Sequence, residues 1–119
     1  MNLIFTNQAK AHISAKIDEL SKISGNNEFA IGIYTAIIRS WGKKYLTVEV
    51  DFNLNSRFQG EFKQISSYNG FPVLIDPKAE ELLNTDQITI DEGGWYLFKK
   101  LIIHNTPIIS QNEPGYCRI

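Results

Sequence analysis

Apolar residues recur along this chain with two different periods, and the switches between them divide it into elements. Ala9, Ile13, Ile17 and Leu20 follow one another at steps of four, four and three, while Lys10, Ser14, Asp18 and Ser21 fill another face. That spacing predicts an amphipathic helix over residues 7–23. Thr6 or Asn7 stands where an N-cap is needed, and Ser24-Gly25-Asn26-Asn27 offers a left-handed stop and a loop. The short apolar run at residues 3–5 ahead of the helix is expected to pair as an edge strand.

The pattern then changes to period two. Residues 29–38 are apolar on both parities, with Phe29, Ile31, Ile33 and Ile37 on one side and Ala30, Gly32, Tyr34, Ala36 and Ile38 on the other. Such a run predicts a central strand covered on both faces. After a break at Arg39-Ser40-Trp41-Gly42-Lys43, Leu46, Val48, Val50 and Phe52 alternate with Tyr45, Thr47, Glu49 and Asp51, so one face of the next strand meets water. Residues 53–59 read as a polar loop, and residues 61–68 as a strand in imperfect alternation.

The densest local signal covers residues 69–83. Asn69-Gly70 suits a type I′ turn, and the apolar residues 73–75 follow as a strand. Pro72 cannot donate to a ladder, which makes this an edge strand or turns that amide position outward. Asp76 at the N-cap, Pro77 at N1 and Glu80 and Glu81 in the first turns begin a short helix over residues 77–83, with Asn84 as its stop. Two turns of helix are not stable alone, so this one must dock on the sheet. Residues 87–91 alternate as a strand, and residues 91–94 read as a turn. Residues 95–103 read as a long strand interrupted at Lys99-Lys100, where a bulge or an exposed edge is expected. Residues 107–109 can add a last strand.

These elements give an α+β domain: short, mostly antiparallel or mixed strands in a small sandwich or pseudobarrel, with one long N-terminal helix and one short helix. With 119 residues, 43% hydrophobic and 21% charged, the chain fits one domain over residues 1–109 followed by a tail over residues 110–119. A net charge of -1 provides no clustered basic field, which argues against nucleic acid as a partner. Lys43-Lys44 and Lys99-Lys100 read as solvated strand ends. The apolar runs are too short to span a bilayer, and the single cysteine, Cys117, excludes an intrachain disulfide and suits a reducing compartment. The expected location is cytoplasmic, with no membrane partner.

Chemistry is sparse. The chain has two histidines, His12 and His104. No cysteine, carboxylate or second histidine stands one helical turn from His12, so it reads as a partly buried or solvated helix residue. Gly93-Gly94 precedes a strand and is no phosphate loop. Cys117 has no histidine beside it in sequence and reads as a thiol on a loose tail. Glu49 and Asp51 share one strand face, and with Tyr34 and Arg39 they are the only candidates for an enzyme pocket. Trp41, Trp95, Tyr96 and Phe98 follow strand spacing and do not form a base-stacking platform.

Several short words, in order, resemble the A-type iron-sulfur carrier family, also called HesB-like. Ile4-Phe5-Thr6-Asn7-Gln8-Ala9 is similar to that family's opening strand and helix, and Ile31-Gly32-Ile33 to its next strand. Asn69 to Pro77 is similar to its hairpin and strand stop, and Ile88-Thr89-Ile90-Asp91 to its short strand before the end. The resemblance covers residues 3–105 and implies the HesB-like fold. It also implies an iron or cluster site built from three cysteines, one after the second strand and two in a terminal Cys-x-Cys. This chain has Arg39-Ser40-Trp41-Gly42 at the first place and only Cys117 at the last. A related branch carries a cysteine pair after a similar strand, where residues 34–40 hold none, and its last strand is similar to residues 95–103.

The expectation is therefore a HesB-like scaffold of unassigned role that holds no cofactor and acts as a binding or interaction module, with a homodimer or another protein as partner. An enzyme is disfavoured. The alternative is a residual iron-sulfur, metal or thiol protein that uses Cys117, with His104 or a partner's carboxylate, in an oligomer. Arg39, Ser40, Trp41 and Lys43 form the candidate functional loop.

Overall fold

The computed structural model describes residues 2–24, 28–94 and 98–110, apart from the side chains of residues 23 and 24. Its strands are β1 (Asn2–Phe5), β2 (Phe29–Ser40), β3 (Lys43–Leu54), β4 (Lys63–Tyr68), β5 (Phe71–Ile75), β6 (Gln87–Gly93), β7 (Lys100–Ile103) and β8 (Ile109–Ser110). The helices are α1 (Asn7–Ser24) and α2 (Pro77–Leu83), with one 3-10 turn over Asn55–Arg57. The architecture is α+β in two sheets. One has the order β4-β5-β2-β3-β8, the other β1-β6-β7. Pairing is mixed, since β2–β5 and β1–β6 run parallel and the other neighbours antiparallel.

The core forms where the apolar parity of each strand meets the helices. Phe29, Ile31 and Ile33 of β2, Val48, Val50 and Phe52 of β3, and Val73 and Ile75 of β5 cluster with Ile88, Ile90, Leu101 and Ile103 of the smaller sheet. Ala9 and Ile13 of α1 and Ala79 of α2 close the cluster. The four-residue spacing of Ala9 and Ile13 puts both on one helix face, which is why α1 is held although one turn of it would not be stable in water. The opposite face of β2 is covered at its start by Phe58, which lies over Gly32 and stacks with Tyr34 and Phe62 at ring separations of 6.5 and 5.8 Å.

The β4–β5 and β2–β3 hairpins use two-residue turns with positive φ. Asn69 (49°) and Gly70 (85°) join β4 to β5, as the Asn-Gly pair predicts. Trp41 (54°) and Gly42 (75°) join β2 to β3, so the sequence break at residues 39–43 is a tight turn between two twelve-residue strands.

Several expectations are corrected. The cover predicted on both faces of β2 ends halfway: its first five residues are buried and residues 37–40 are exposed. The pairing with β5 stops at Ile33 and the Phe58 ring reaches no further than Tyr34, so at the distal end, among the described residues, only Thr106 and Ile108 come near, beside Ile38. Of the two alternatives for Pro72, the second holds: β5 lies between β4 and β2, but its parallel pairing with β2 begins only at Val73, so the Pro72 amide position faces no ladder partner there. The imperfect alternation of residues 61–68 is a register shift between Gln64 and Ser66. Asp76 stands at the N-cap of α2 with extended backbone, but its carboxylate makes no capping bond; its amide donates instead to the Ile33 carbonyl at 2.9 Å. Asn84 does end α2 in the left-handed conformation, with its amide bonded to the Glu80 carbonyl.

Residues 91–93 are not a turn but the end of β6, held by ladder pairing of Asp91 with Ile102, Glu92 with Leu101 and Gly93 with Lys100. β7 starts only at Lys100, so Phe98 and Lys99 precede the strand and do not bulge within a longer one; the alternative of an exposed edge is found, since β7 is the outer strand of its sheet and both lysines are exposed. Trp95, Tyr96 and Leu97 lie outside the described residues. The last strand falls at Ile109–Ser110, where it pairs with Tyr45 and Leu46 of β3.

Candidate functional site

The residues expected to form a functional loop are the distal end of the β2–β3 hairpin. Arg39 pairs with Lys44 and Ser40 with Lys43, immediately before the Trp41-Gly42 turn. Trp41 is 97% exposed. An indole held out in water gains nothing from burial, and a bulky side chain at φ 54° opposes its own backbone preference, so neither packing nor turn chemistry accounts for it. Behind the turn, Ile37 and Ile38 are 50% and 41% exposed. Directly opposed residues of antiparallel strands share a face, so Ile37, Leu46 and Ile109 form one row across β2, β3 and β8. This row continues the core stripe of Phe29, Ile31 and Ile33 past the end of its cover.

A second grouping was hidden in the sequence. Adjacent carboxylates on β6, Asp91 and Glu92, point to opposite faces of the strand and each meets one of the chain's two histidines. Asp91 Oδ2 accepts from His104 Nε2 at 2.8 Å. Asp91 Oδ1 accepts from the Thr6 hydroxyl at 2.6 Å and from the Glu92 amide at 2.8 Å. Thr6 in turn accepts from the Ala9 amide at 3.1 Å, which makes it the N-cap of α1. On the other face Glu92 Oε2 faces His12 Nδ1 at 2.8 Å, and its second oxygen lies 3.8 Å from Lys99 Nζ. The Thr6 hydroxyl, then the Glu92 amide and His104, stabilise the ionised form of Asp91 and lower its pKa below the ordinary value.

The chemical reading of this grouping is a brace. Nucleophilic catalysis needs the histidine against the hydroxyl, with the carboxylate behind the imidazole. Here the carboxylate stands between Thr6 and His104, and the hydroxyl proton is already committed to Asp91. Three groups therefore tie the start of α1, the end of β6 and the residue after β7. Among the described residues, no three of His, Cys, Asp and Glu converge as a metal-binding group.

The enzyme pocket considered from sequence does not assemble. Tyr34 pairs with Glu49, and Asp51 lies two residues on along the same face, so these three are brought together. Partial burial, then the charges of Asp51 and Glu49, raise the pKa of the Tyr34 phenol. Glu49 also faces Lys100 Nζ at 3.4 Å. Arg39 is of opposite parity to Tyr34 and five residues along, on the other face of β2. His104 is engaged by Asp91, and Cys117 lies outside the described residues. No signal local to the sequence could have joined His12 to Glu92, since the contact depends on the packing of α1 against β6.

In comparisons with known proteins, no protein-family model, no curated protein and no solved structure matches this chain.

Proposed function

We propose that this protein is a HesB-like scaffold that holds no iron-sulfur cluster and works as an interaction module through the distal β2–β3 hairpin. One observation carries the reading: Trp41 projects into solvent from a left-handed turn position that Asn or Gly would occupy at lower cost. Exposed aromatic side chains at a rigid tip are suited to anchoring a partner, because a large apolar area is presented with few rotatable bonds. Ile37 and Ile38 stand beside it as further apolar surface.

The residues at this end do not fit an iron site. Where the resembled family places its first cysteine, this chain presents a guanidinium, a hydroxyl and an indole from Arg39, Ser40 and Trp41. None of these supplies the thiolate that a cluster needs. Anaerobic incubation with ferrous iron, sulfide and a thiol reductant, followed by desalting, tests this reading. The expected product carries iron and sulfide well below one equivalent per chain and lacks cluster absorption in the visible. Stoichiometric iron and sulfide, lost on Cys117→Ser substitution, would instead establish a cluster-binding oligomer.

A further inference from the structure

We propose that the partner of this hairpin is a second copy of the same chain, joined along the free edge of β2. The proposal rests on the interaction-module reading and specifies its occupant. On one side β2 pairs with β3 along its whole length, whereas on the other it pairs with β5 only from Ile31 to Ile33. No described strand covers that side of residues 34–40.

The direction of the backbone groups follows from one bond. The Ile33 carbonyl accepts from the Asp76 amide on the β5 side, so Ile33 aims its polar groups away from β3. Strand alternation then aims the amides and carbonyls of Thr35, Ile37 and Arg39 the same way, while Tyr34, Ala36, Ile38 and Ser40 bond to β3. Three successive outward residues form a template for an added strand. The other edges are less suited to this. β1 and β7 are four residues long, β8 is two, and β4 carries Lys63 and an irregular register at Ile65. The side of β3 beyond Leu46, which β8 leaves unpaired, lies against β7, where Glu49 meets Lys100. Short length, a lysine and a bulge all discourage edge pairing; between residues 34 and 38 the β2 edge has none of them.

An antiparallel pairing about a two-fold axis at Ile37 is self-complementary. It sets Ile37 against its own copy, Thr35 against Arg39, and Ala36 against Ile38. No like charges oppose one another across the join. The row Ile37, Leu46 and Ile109 then becomes a continuous apolar row of six side chains across both copies. A two-fold arrangement uses the same patch on each molecule and closes, so association stops at the dimer.

Sedimentation equilibrium of the full chain at rising concentration up to ~100 μM, where even a ~10 μM dissociation constant is visible, tests the proposal. The expected result is a monomer–dimer equilibrium. Ile37→Lys is expected to weaken it by at least ~10-fold, since edge lysines oppose strand pairing. Ile37→Pro removes an outward amide hydrogen that β3 does not use, and should do the same. Ser67→Lys on the exposed β4 edge should leave the equilibrium unchanged. Circular dichroism reports whether each variant is folded. If Ile37→Pro unfolds, concentration-dependent protection of the Thr35, Ile37 and Arg39 amides from hydrogen exchange replaces it.

A monomeric wild type, a dimer indifferent to Ile37→Lys, or a dimer lost equally with Ser67→Lys overturns self-pairing. These results do not decide cluster binding, which the reconstitution measures separately. A cluster bound to a protein that still dimerises through Ile37 would overturn the cluster-free reading while leaving this interface in place.

Discussion

Gly32 shows how one absent side chain shapes the sheet. A Cβ at this position would enter the ring of Phe58, whose Cγ would lie 2.7 Å away. The ring therefore uses the space above the strand that any other residue would occupy. Gly32→Ala is expected to destabilise the fold by about 1–3 kcal/mol, the usual range for overpacking, measured by urea denaturation. The same substitution should cost less in a Phe58→Leu background, because the two groups compete for one volume. Asp91 gives a second residue-scale expectation. Its pKa is lower in the folded chain than the ordinary 3.8, so its contribution to stability is fully present above that value. The contribution is lost as pH falls through the lower folded pKa. Asp91→Asn should reduce stability near neutral pH and flatten the fall of the urea midpoint as pH is taken below the ordinary aspartate pKa. Residues of this kind were poorly legible in the sequence. Asp91 reads there as part of a turn, because Asp-Glu-Gly-Gly has turn composition and its partner Thr6 is 85 residues away.

At the scale of elements, legibility followed locality. The α1 periodicity, the Asn69-Gly70 turn and the α2 span with its Asn84 stop all express interactions within a few residues, and each is found where the pattern puts it. The start of α2 was read from Asp76, yet its side chain is not used as a cap. Backbone pairing to Ile33 already fixes the chain direction there. The β2–β3 turn is the informative exception. Its sequence reads as an irregular break, because Trp41 is a poor residue for the left-handed conformation it adopts. Trp41→Asn would make this turn chemically equal to Asn69-Gly70. It is expected to stabilise the fold by ~0.5–1 kcal/mol in thermal or urea denaturation, through the lower cost of positive φ for asparagine. A gain in stability on removing the tryptophan would mean that the hairpin carries it at a cost to the isolated fold.

For the whole molecule, the α+β class could be read from the distribution of periods, but the division into two sheets and the identity of the parallel neighbours could not. Parallel neighbours such as β2 and β5 are set by docking of distant segments and leave no turn signature between them. The candidate site was half legible for the same reason. Residues 39–43 could be singled out because a tryptophan, a serine and basic residues interrupt an apolar strand. Which faces they occupy, and that β2 leaves an edge open beside them, depends on β5 ending where it does.

The parallel pairing of β1 with β6 also bears on how the chain reaches its native state. β1 and the capped start of α1 are made well before β6, so Leu3 waits for Ile88 and Thr6 for Asp91. During synthesis the segment from β2 to β5 can close its two tight hairpins early, while the N-terminal strand has no partner. Pairing across so long a loop is slow relative to hairpin closure. The smaller sheet therefore cannot begin to form until β6 has been made, after both hairpins of the larger sheet have had time to close.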